Sequence, residues 1–221
     1  MMVLRALALL VLGTGLIAGA AVFQVGGGEA SAASLVNCDA PTAASPGELK
    51  LLDLINARRA QDGIAALHRS ENLARSAKWK SIDQVAHFPP LDHYDSLGRD
   101  PFKRMAQCGY AGGGAMGEVI ALTAPCSDSS CAAEAADALD LLMSDQPHRD
   151  IILGKSFRAA GVGLSEGIWT VDFASVDDSG SPSVAGSPTA TATATPTRTP
   201  TPPTGPVKRS ILPMVASSST D

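Results

Sequence analysis

AAGVGLSEGIWTVDFAS, residues 159–175, is the clearest indication of fold in this chain. Two apolar runs flank Ser165-Glu166-Gly167, a pattern typical of a β-hairpin. In the second run Trp169, Val171 and Phe173 occupy alternate positions, so one face of that strand is predicted to be buried. The hairpin therefore predicts a small sheet at the end of a folded domain.

Helix signals lie upstream of this hairpin. Ser45-Pro46-Gly47-Glu48 is a capping box with proline at the first helical position, and Asp62-Gly63 ends the helix it opens. Capping residues and apolar spacing predict three more helices, from Ser70 to about Phe88, from Asp100 to about Cys108, and from about Cys131 to Ser144. GEVIALT, residues 117–123, is a further strand candidate. Helices around a small sheet predict a layered α+β domain.

Composition divides the chain into five parts. We interpret them as a signal peptide (residues 1–32), a linker (33–44), the domain (45–176), a disordered Pro/Thr-rich stalk (177–206) and a C-terminal tail (207–221). Ala30-Ser31-Ala32 fits the signal-peptidase rule. If cleavage fails, the apolar residues 3–23 are long enough to anchor the chain in a membrane. In both cases we expect a secreted or surface protein, whose tail is either a docking peptide or a disordered end.

Four cysteines are expected to form disulfides, because an exported protein meets an oxidising environment. Three pairings are possible. Cys126 and Cys131 frame the short polar loop CSDSSC, which favours a local bridge and leaves Cys38 to join Cys108. A four-cysteine zinc site is the alternative, although no C-x-x-C pair occurs. The net charge of −5, with no basic cluster, argues against a nucleic-acid partner.

Gly163-Leu164-Ser165-Glu166-Gly167 matches the G-x-S-x-G nucleophile motif of α/β-hydrolases. That motif requires a strand, a sharp turn and a helix, whereas a strand is predicted after this turn. No histidine follows Ser165 in the sequence, although the hydrolase order requires one. The sequence therefore argues against a serine hydrolase of this type.

The four histidines are not equivalent. His68 and His87 lie near predicted helix ends, where an exposed or half-buried histidine is the simplest interpretation. His93 and His148 each fall in a predicted loop after a long helix, with acids nearby. Glu118 opens a strand directly after the glycine-rich YAGGGAMGE, where the backbone can approach a ligand closely. These last three residues are the candidate site.

Five ordered segments resemble the CAP superfamily of cysteine-rich secretory, antigen 5 and pathogenesis-related proteins, in its short bacterial secreted branch. They are LLDLINARRAQDG (51–63), LDHYDSLGRDPFKRMAQCGY (91–110), GEVIA (117–121), SDQPHRDIIL (144–153) and GVGLSEGIWTVDFAS (161–175). The resemblance implies a three-layer α-β-α sandwich with a cleft in which His93, Glu118 and His148 converge. Ser144 stands nearest the family's second acid, and Asp145 is a candidate substitute.

Three positions depart from the family pattern. Val119 replaces an asparagine after the glutamate, Leu141 replaces a tryptophan, and Pro147 replaces the glycine before the second histidine. A hydrogen-bonding group expected beside the cleft is therefore absent.

The resemblance implies a binding function first. The cleft would bind an extracellular or cell-envelope ligand, a lipid, glycan or peptide, from a domain displayed on a stalk. Zn²⁺ or another divalent cation is a candidate cofactor, held by His93 and His148 with Glu118 as third ligand or second-shell partner. The enzyme alternative is a metal-assisted or Glu/His-based hydrolase, protease-like, with Glu118 or a histidine as general base. In a third alternative the same residues form a purely structural hydrogen-bonded network.

Overall fold

A computed structural model describes residues 35, 37–180 and 210–217, the last of these as backbone only. The predicted signal peptide, residues 181–206 of the predicted stalk and both ends of the C-terminal tail lie outside the described residues. Within the described part no helix is both long and apolar enough to cross a bilayer.

Helices and strands are interspersed along the described chain. The helices are α1 (Pro46–Gln61), α2 (Glu71–His87), α3 (Pro101–Gln107), α4 (Ala132–Met143) and α5 (Gln146–Ile152). The strands are β1 (His68–Arg69), β2 (Ala115–Leu122), β3 (Ala159–Ser165), β4 (Ile168–Ala174) and β5 (Ser210–Ser217). The predicted α+β class is confirmed.

The strands form a single sheet in the order β1-β3-β4-β2-β5. β1 runs parallel to β3, and the other neighbours are antiparallel. Glu166 (φ 44°) and Gly167 (φ 86°) form the two-residue turn between β3 and β4. Positive φ at both positions gives the turn a twist that suits the flanking strands. The G-x-S-x-G sequence is thus a hairpin, as its strand-like continuation predicted.

An apolar cluster fills one face of the sheet, as the alternation in β4 predicted. Trp169, Val171 and Phe173 contribute to this cluster from β4, and α1, α4 and α5 cover it. The opposite face packs against α2 and α3, which contribute Leu73 and Met105 to a smaller cluster. Helices on both faces confirm the three-layer sandwich.

Close packing of α2 on β3 depends on glycine. A Cβ at Gly161 would lie 2.0 Å from Ala74 N, and one at Gly163 would lie 2.2 Å from the Ala77 carbonyl carbon. Both distances are far below van der Waals contact, so α2 can approach the sheet closely only because these two positions lack a side chain.

Two disulfides join the four cysteines. Cys38 pairs with Cys108 across 70 residues, and Cys126 pairs with Cys131 across five. The first bridge connects the segment before α1 to the end of α3. The second closes the polar loop before α4. No cysteine remains for a zinc site of the four-cysteine type.

Candidate functional site

His93 lies in the loop between α2 and α3, and α2 holds this loop in place. The buried Lys80 donates from Nζ to Tyr94 O at 2.8 Å, and the buried Gln84 donates from Nε2 to Pro90 O at 2.7 Å. Both carbonyls belong to the loop on either side of His93. The long polar side chains of α2 therefore fix the position of the histidine.

Glu118 is fully buried in β2, where both its carboxylate oxygens are hydrogen-bonded. His93 Nδ1 donates to Oε1 at 2.7 Å, and Arg104 Nη2 donates to Oε2. Arg104 also donates from Nη1 to the His93 carbonyl at 3.2 Å. The arginine of α3 therefore links the glutamate and the backbone of the histidine loop into one network.

Two buried acids in this network have opposite pKa shifts. Burial alone would raise the pKa of Glu118, but the positive charge of Arg104 and the hydrogen bond from His93 outweigh it, so the net pKa is lowered. Burial raises the pKa of Asp172 well above its ordinary value, and the negative charge of Glu118 raises it further against the opposing effect of Arg104. Glu118 therefore holds the negative charge that pairs with Arg104.

His148 lies in α5, whereas the sequence predicted a loop there, and this prediction is wrong. Pro147 occupies the first turn of α5, where a missing N–H leaves no helical hydrogen bond unmade. The fully buried His148 ring donates from Nδ1 to Asp145 Oδ2 at 2.7 Å. Asp145 is the N-cap residue of the same helix, so it holds the ring from one turn away.

Among the described residues, Ser144 forms no hydrogen bond with His93 or His148. Its exposed hydroxyl donates to Leu141 O at 2.7 Å, at the end of its own helix. Asp145, considered from the sequence as a substitute for the missing second acid, is the residue that binds His148.

The structure brings His93 and Glu118 together but does not join His148 to them by a described hydrogen bond. His93 and Glu118 lie on the α2/α3 face of the sheet, while α5 packs with the apolar cluster of the other face. Among the described residues no group of three or more His, Cys, Asp or Glu side chains is arranged to hold a metal ion. Both Glu118 oxygens are already engaged, so a three-ligand site of His93, Glu118 and His148 is not assembled in this structure.

One atom of each histidine remains without a partner. His93 Nε2 and His148 Nε2 are buried and accept or donate no hydrogen bond within the part of the chain that is described. A carboxylate only accepts hydrogen bonds, so each Nδ1 carries a proton. In the neutral ring, each Nε2 therefore has a free lone pair.

The family departures noted in the sequence have local explanations. Val119 points away from the carboxylates and packs in the apolar cluster, against which Leu141 also packs. Pro147 fits the first turn of α5. These substitutions leave the His93–Glu118 hydrogen bond in place.

Two residues of the network were missed as site residues by sequence reasoning. Arg104 belongs to a matched segment, but its partner Glu118 lies 14 residues further along the chain. Asp172 lies opposite Glu118 in the β2–β4 register. The alternation of β4 was a usable signal, because it places Asp172 on the face opposite Trp169, Val171 and Phe173.

Comparison with known proteins gives matches over the same region. The sequence profile of CAP, the cysteine-rich secretory protein family, matches residues 52–173. The chain is 32% identical over 136 residues to the uncharacterized protein YkwD of Bacillus subtilis (strain 168). This alignment covers 61% of the chain and 49% of that relative. The match thus spans about half the length of the curated relative.

Solved structures that match part of the chain come from bacteria. An extracellular protein containing a SCP domain from Bacillus anthracis str. Ames has 22% identity and a TM-score of 0.46, over 57% of this chain and 39% of that chain. An outer surface protein from Borrelia burgdorferi has 15% identity and a TM-score of 0.46, over 56% of this chain and 87% of that chain.

Proposed function

Because the chain belongs to the cysteine-rich secretory protein family, we propose that it is an exported domain that binds an extracellular ligand through His93 and His148. The ligand class is a lipid, glycan or peptide of the cell envelope or surroundings. The apolar N-terminal sequence and the two disulfides support export. The Pro/Thr-rich sequence after the domain has the composition of a spacer.

The two unpartnered Nε2 atoms are the observation that supports binding. Buried polar atoms in folded proteins nearly always have a hydrogen-bond partner, so two such atoms, one in the loop between α2 and α3 and one in α5, need an explanation. Each is the free nitrogen of a ring whose other nitrogen is held by a carboxylate. A ligand group that donates a hydrogen bond, or a cation that accepts the lone pair, would satisfy either atom.

A divalent cation such as Zn²⁺ fits the chemistry of these nitrogens. Metal-binding histidines commonly donate their second ring N–H to a carboxylate, which orients the ring and makes the free nitrogen more basic. His93 with Glu118, and His148 with Asp145, both have this arrangement. A bound cation would supply positive charge for an anionic or carbonyl group of the ligand.

The hydrolase alternative with Glu118 as general base has less support from the geometry. A general base must be able to accept a proton from water. Glu118 is fully buried, its pKa is lowered, and both oxygens are held by Arg104 and His93. We therefore propose a positioning role for Glu118 and a binding role for the site.

Zinc titration of the full chain by calorimetry tests the proposal. The chain is compared with the His93→Ala/His148→Ala variant and with a matched control, His68→Ala/His87→Ala, whose two histidines are exposed. We expect saturable binding by the wild type and the control, and its loss in the first variant with an unchanged circular dichroism spectrum.

Two results would contradict this expectation. If the wild type binds no zinc, the cation is removed from the proposal, and lipid and glycan binding screens become the test of the site. If the His93→Ala/His148→Ala variant unfolds while the control stays folded, the histidines belong to a structural network.

A further inference from the structure

The C-terminal segment Ser210–Ser217 forms an edge strand that was not expected from the sequence. It pairs antiparallel with β2 over all eight residues, from Ala115 opposite Ser217 to Leu122 opposite Ser210. The other side of β2 pairs with β4. β5 therefore occupies the whole length of the β2 edge.

β5 is an addition to the domain that the family match defines. The match ends at residue 173, within β4, and residues 175–209 separate the end of β4 from the start of β5. The strands β1, β3, β4 and β2 are hydrogen-bonded to one another in order without it. The sheet therefore has its own β2 edge, which β5 covers.

This edge lies beside the candidate site. Met214 is the register partner of Glu118, so the added strand runs directly past the buried glutamate. Helix α5, which carries His148, contacts both β2 and β5. His93 and His148 belong to opposite layers, and β2 is contacted by α3 from one layer and by α5 from the other. β5 thus covers the edge of a strand that both layers contact.

The sequence of β5 suits an edge position. Pro213 has no N–H to donate, and proline is confined in sheets to edge strands where its nitrogen faces away from the neighbour. A proline at this place also prevents another strand from adding to β5. The segment can therefore end the sheet while those of its N–H groups that face β2 pair with it.

We propose that the edge of β2 is a binding site for an extended apolar peptide, and that residues 210–217 are its intramolecular occupant. Strand addition supplies affinity through main-chain hydrogen bonds, and tethering in the same chain raises the local concentration of the occupant to the millimolar range. The proposed binding edge lies on the strand that carries Glu118, but the inference rests only on the backbone register between β2 and β5.

Backbone exchange in the full chain tests the inference. N–H groups of consecutive residues in a strand point to opposite sides, so the double variant Met214→Pro/Val215→Pro removes at least one bond to β2. The matched control Met214→Ala/Val215→Ala keeps both N–H groups. Hydrogen exchange is followed in residues 115–122, and binding of a labelled peptide of residues 208–218 is measured by fluorescence anisotropy.

We expect about half of the amides of residues 115–122 to exchange at least tenfold faster in the proline variant than in the alanine control. The labelled peptide should bind the proline variant at least tenfold more tightly than the wild type, whose site is filled. Equal exchange in the two variants, or no peptide binding to a folded proline variant, would overturn the inference.

A second experiment tests the inference if the proline variant does not fold. A protease site introduced at residues 190–196 allows the folded chain to be cut after purification. We expect the tail fragment to stay bound and to be displaced by excess labelled peptide. A fragment that separates at once, with no uptake of labelled peptide by the remaining domain, would also overturn the inference. Neither readout involves zinc, so either inference can fail without the other.

Discussion

Glu118 lies directly opposite Asp172 in the β2–β4 ladder, and both carboxyl groups are fully buried. Among the described residues, Arg104 is the cation that donates a hydrogen bond to this pair, and it does so to Glu118. Two buried carboxylates facing each other raise the free energy of the doubly ionised state. The pair therefore divides into one acid that is easily ionised and one that is not.

Replacing Asp172 with asparagine should raise the free energy of unfolding relative to the wild type, and this gain should be larger at neutral pH than at acid pH. The pKa of Asp172 is raised on folding above its ordinary value of 3.8. The folded state therefore binds the proton more tightly than the unfolded state. The contribution of this group to stability is complete below pH 3.8 and is lost as pH rises through the folded pKa. Asp172→Asn removes that loss.

Urea unfolding of the wild type and Asp172→Asn between pH 4 and pH 7 measures the effect. The free energy of unfolding of the variant, relative to that of the wild type, should increase as pH rises. Asp53→Asn, an exposed carboxylate on α1, is the matched control and should show no such trend. Parallel pH profiles for wild type and Asp172→Asn would contradict the prediction.

Replacing Glu118 with glutamine should be strongly destabilising. The change removes the carboxylate to which the buried guanidinium of Arg104 donates a hydrogen bond and leaves only the more distant Asp95, 4.0 Å from Nη1, among its described ion pairs; breaking a buried ion pair from one side costs about 3 to 5 kcal/mol. Urea unfolding at neutral pH gives the free energy. Glu71→Gln, which removes an exposed acid 3.9 Å from Arg69, should cost less than about 1 kcal/mol. Similar costs for the two variants would show that the buried pair contributes little.

Adding a methyl group at Gly163 should destabilise the domain by about 3 kcal/mol, because overfilling a packed interface forces the backbone to move. The new Cβ would meet the α2 backbone at Ala77. Thermal unfolding of Gly163→Ala tests this, with Gly180→Ala as control, since nothing lies within 4 Å of a Cβ there. An unchanged melting temperature for Gly163→Ala would mean that α2 does not pack this closely.

The two disulfides should contribute unequally. In the chain-entropy estimate, the bridge across 70 residues stabilises the fold by about 4 kcal/mol and the bridge across five by about 2 kcal/mol. Cys38→Ser/Cys108→Ser should therefore unfold at lower urea than Cys126→Ser/Cys131→Ser. The reverse order of urea midpoints would indicate that loop length does not determine how much each disulfide stabilises the fold.

Local signals in the sequence predicted most of the fold. The capping box at Ser45 sets the start of α1, and Asp62 at its C-cap ends it. The alternation in residues 168–174 identified the buried face of β4. The ordered family segments directed attention to His93 and Glu118, which are hydrogen-bonded.

Long-range pairing accounts for what sequence reasoning missed. β5 gains its structure only by pairing with β2, and Pro213 argues against a strand when the segment is taken alone. Helix α5 is seven residues long and includes a proline, so its sequence is typical of a turn. The partner of Arg104 was not evident either, since this ion pair depends on the packed arrangement and not on spacing along the chain.

The bridge between Cys38 and Cys108 also determines how the domain would respond to mechanical load. Tension applied to the chain before Cys38 passes through the covalent sulfur link to the end of α3. It bypasses α1, which would otherwise be the first helix to be peeled from the sheet. The link bypasses residues 39–107, α3 included, so a pull on the chain before Cys38 enters at Cys108, at the start of the segment that leads into β2, and a reducing environment would transfer the same force to α1.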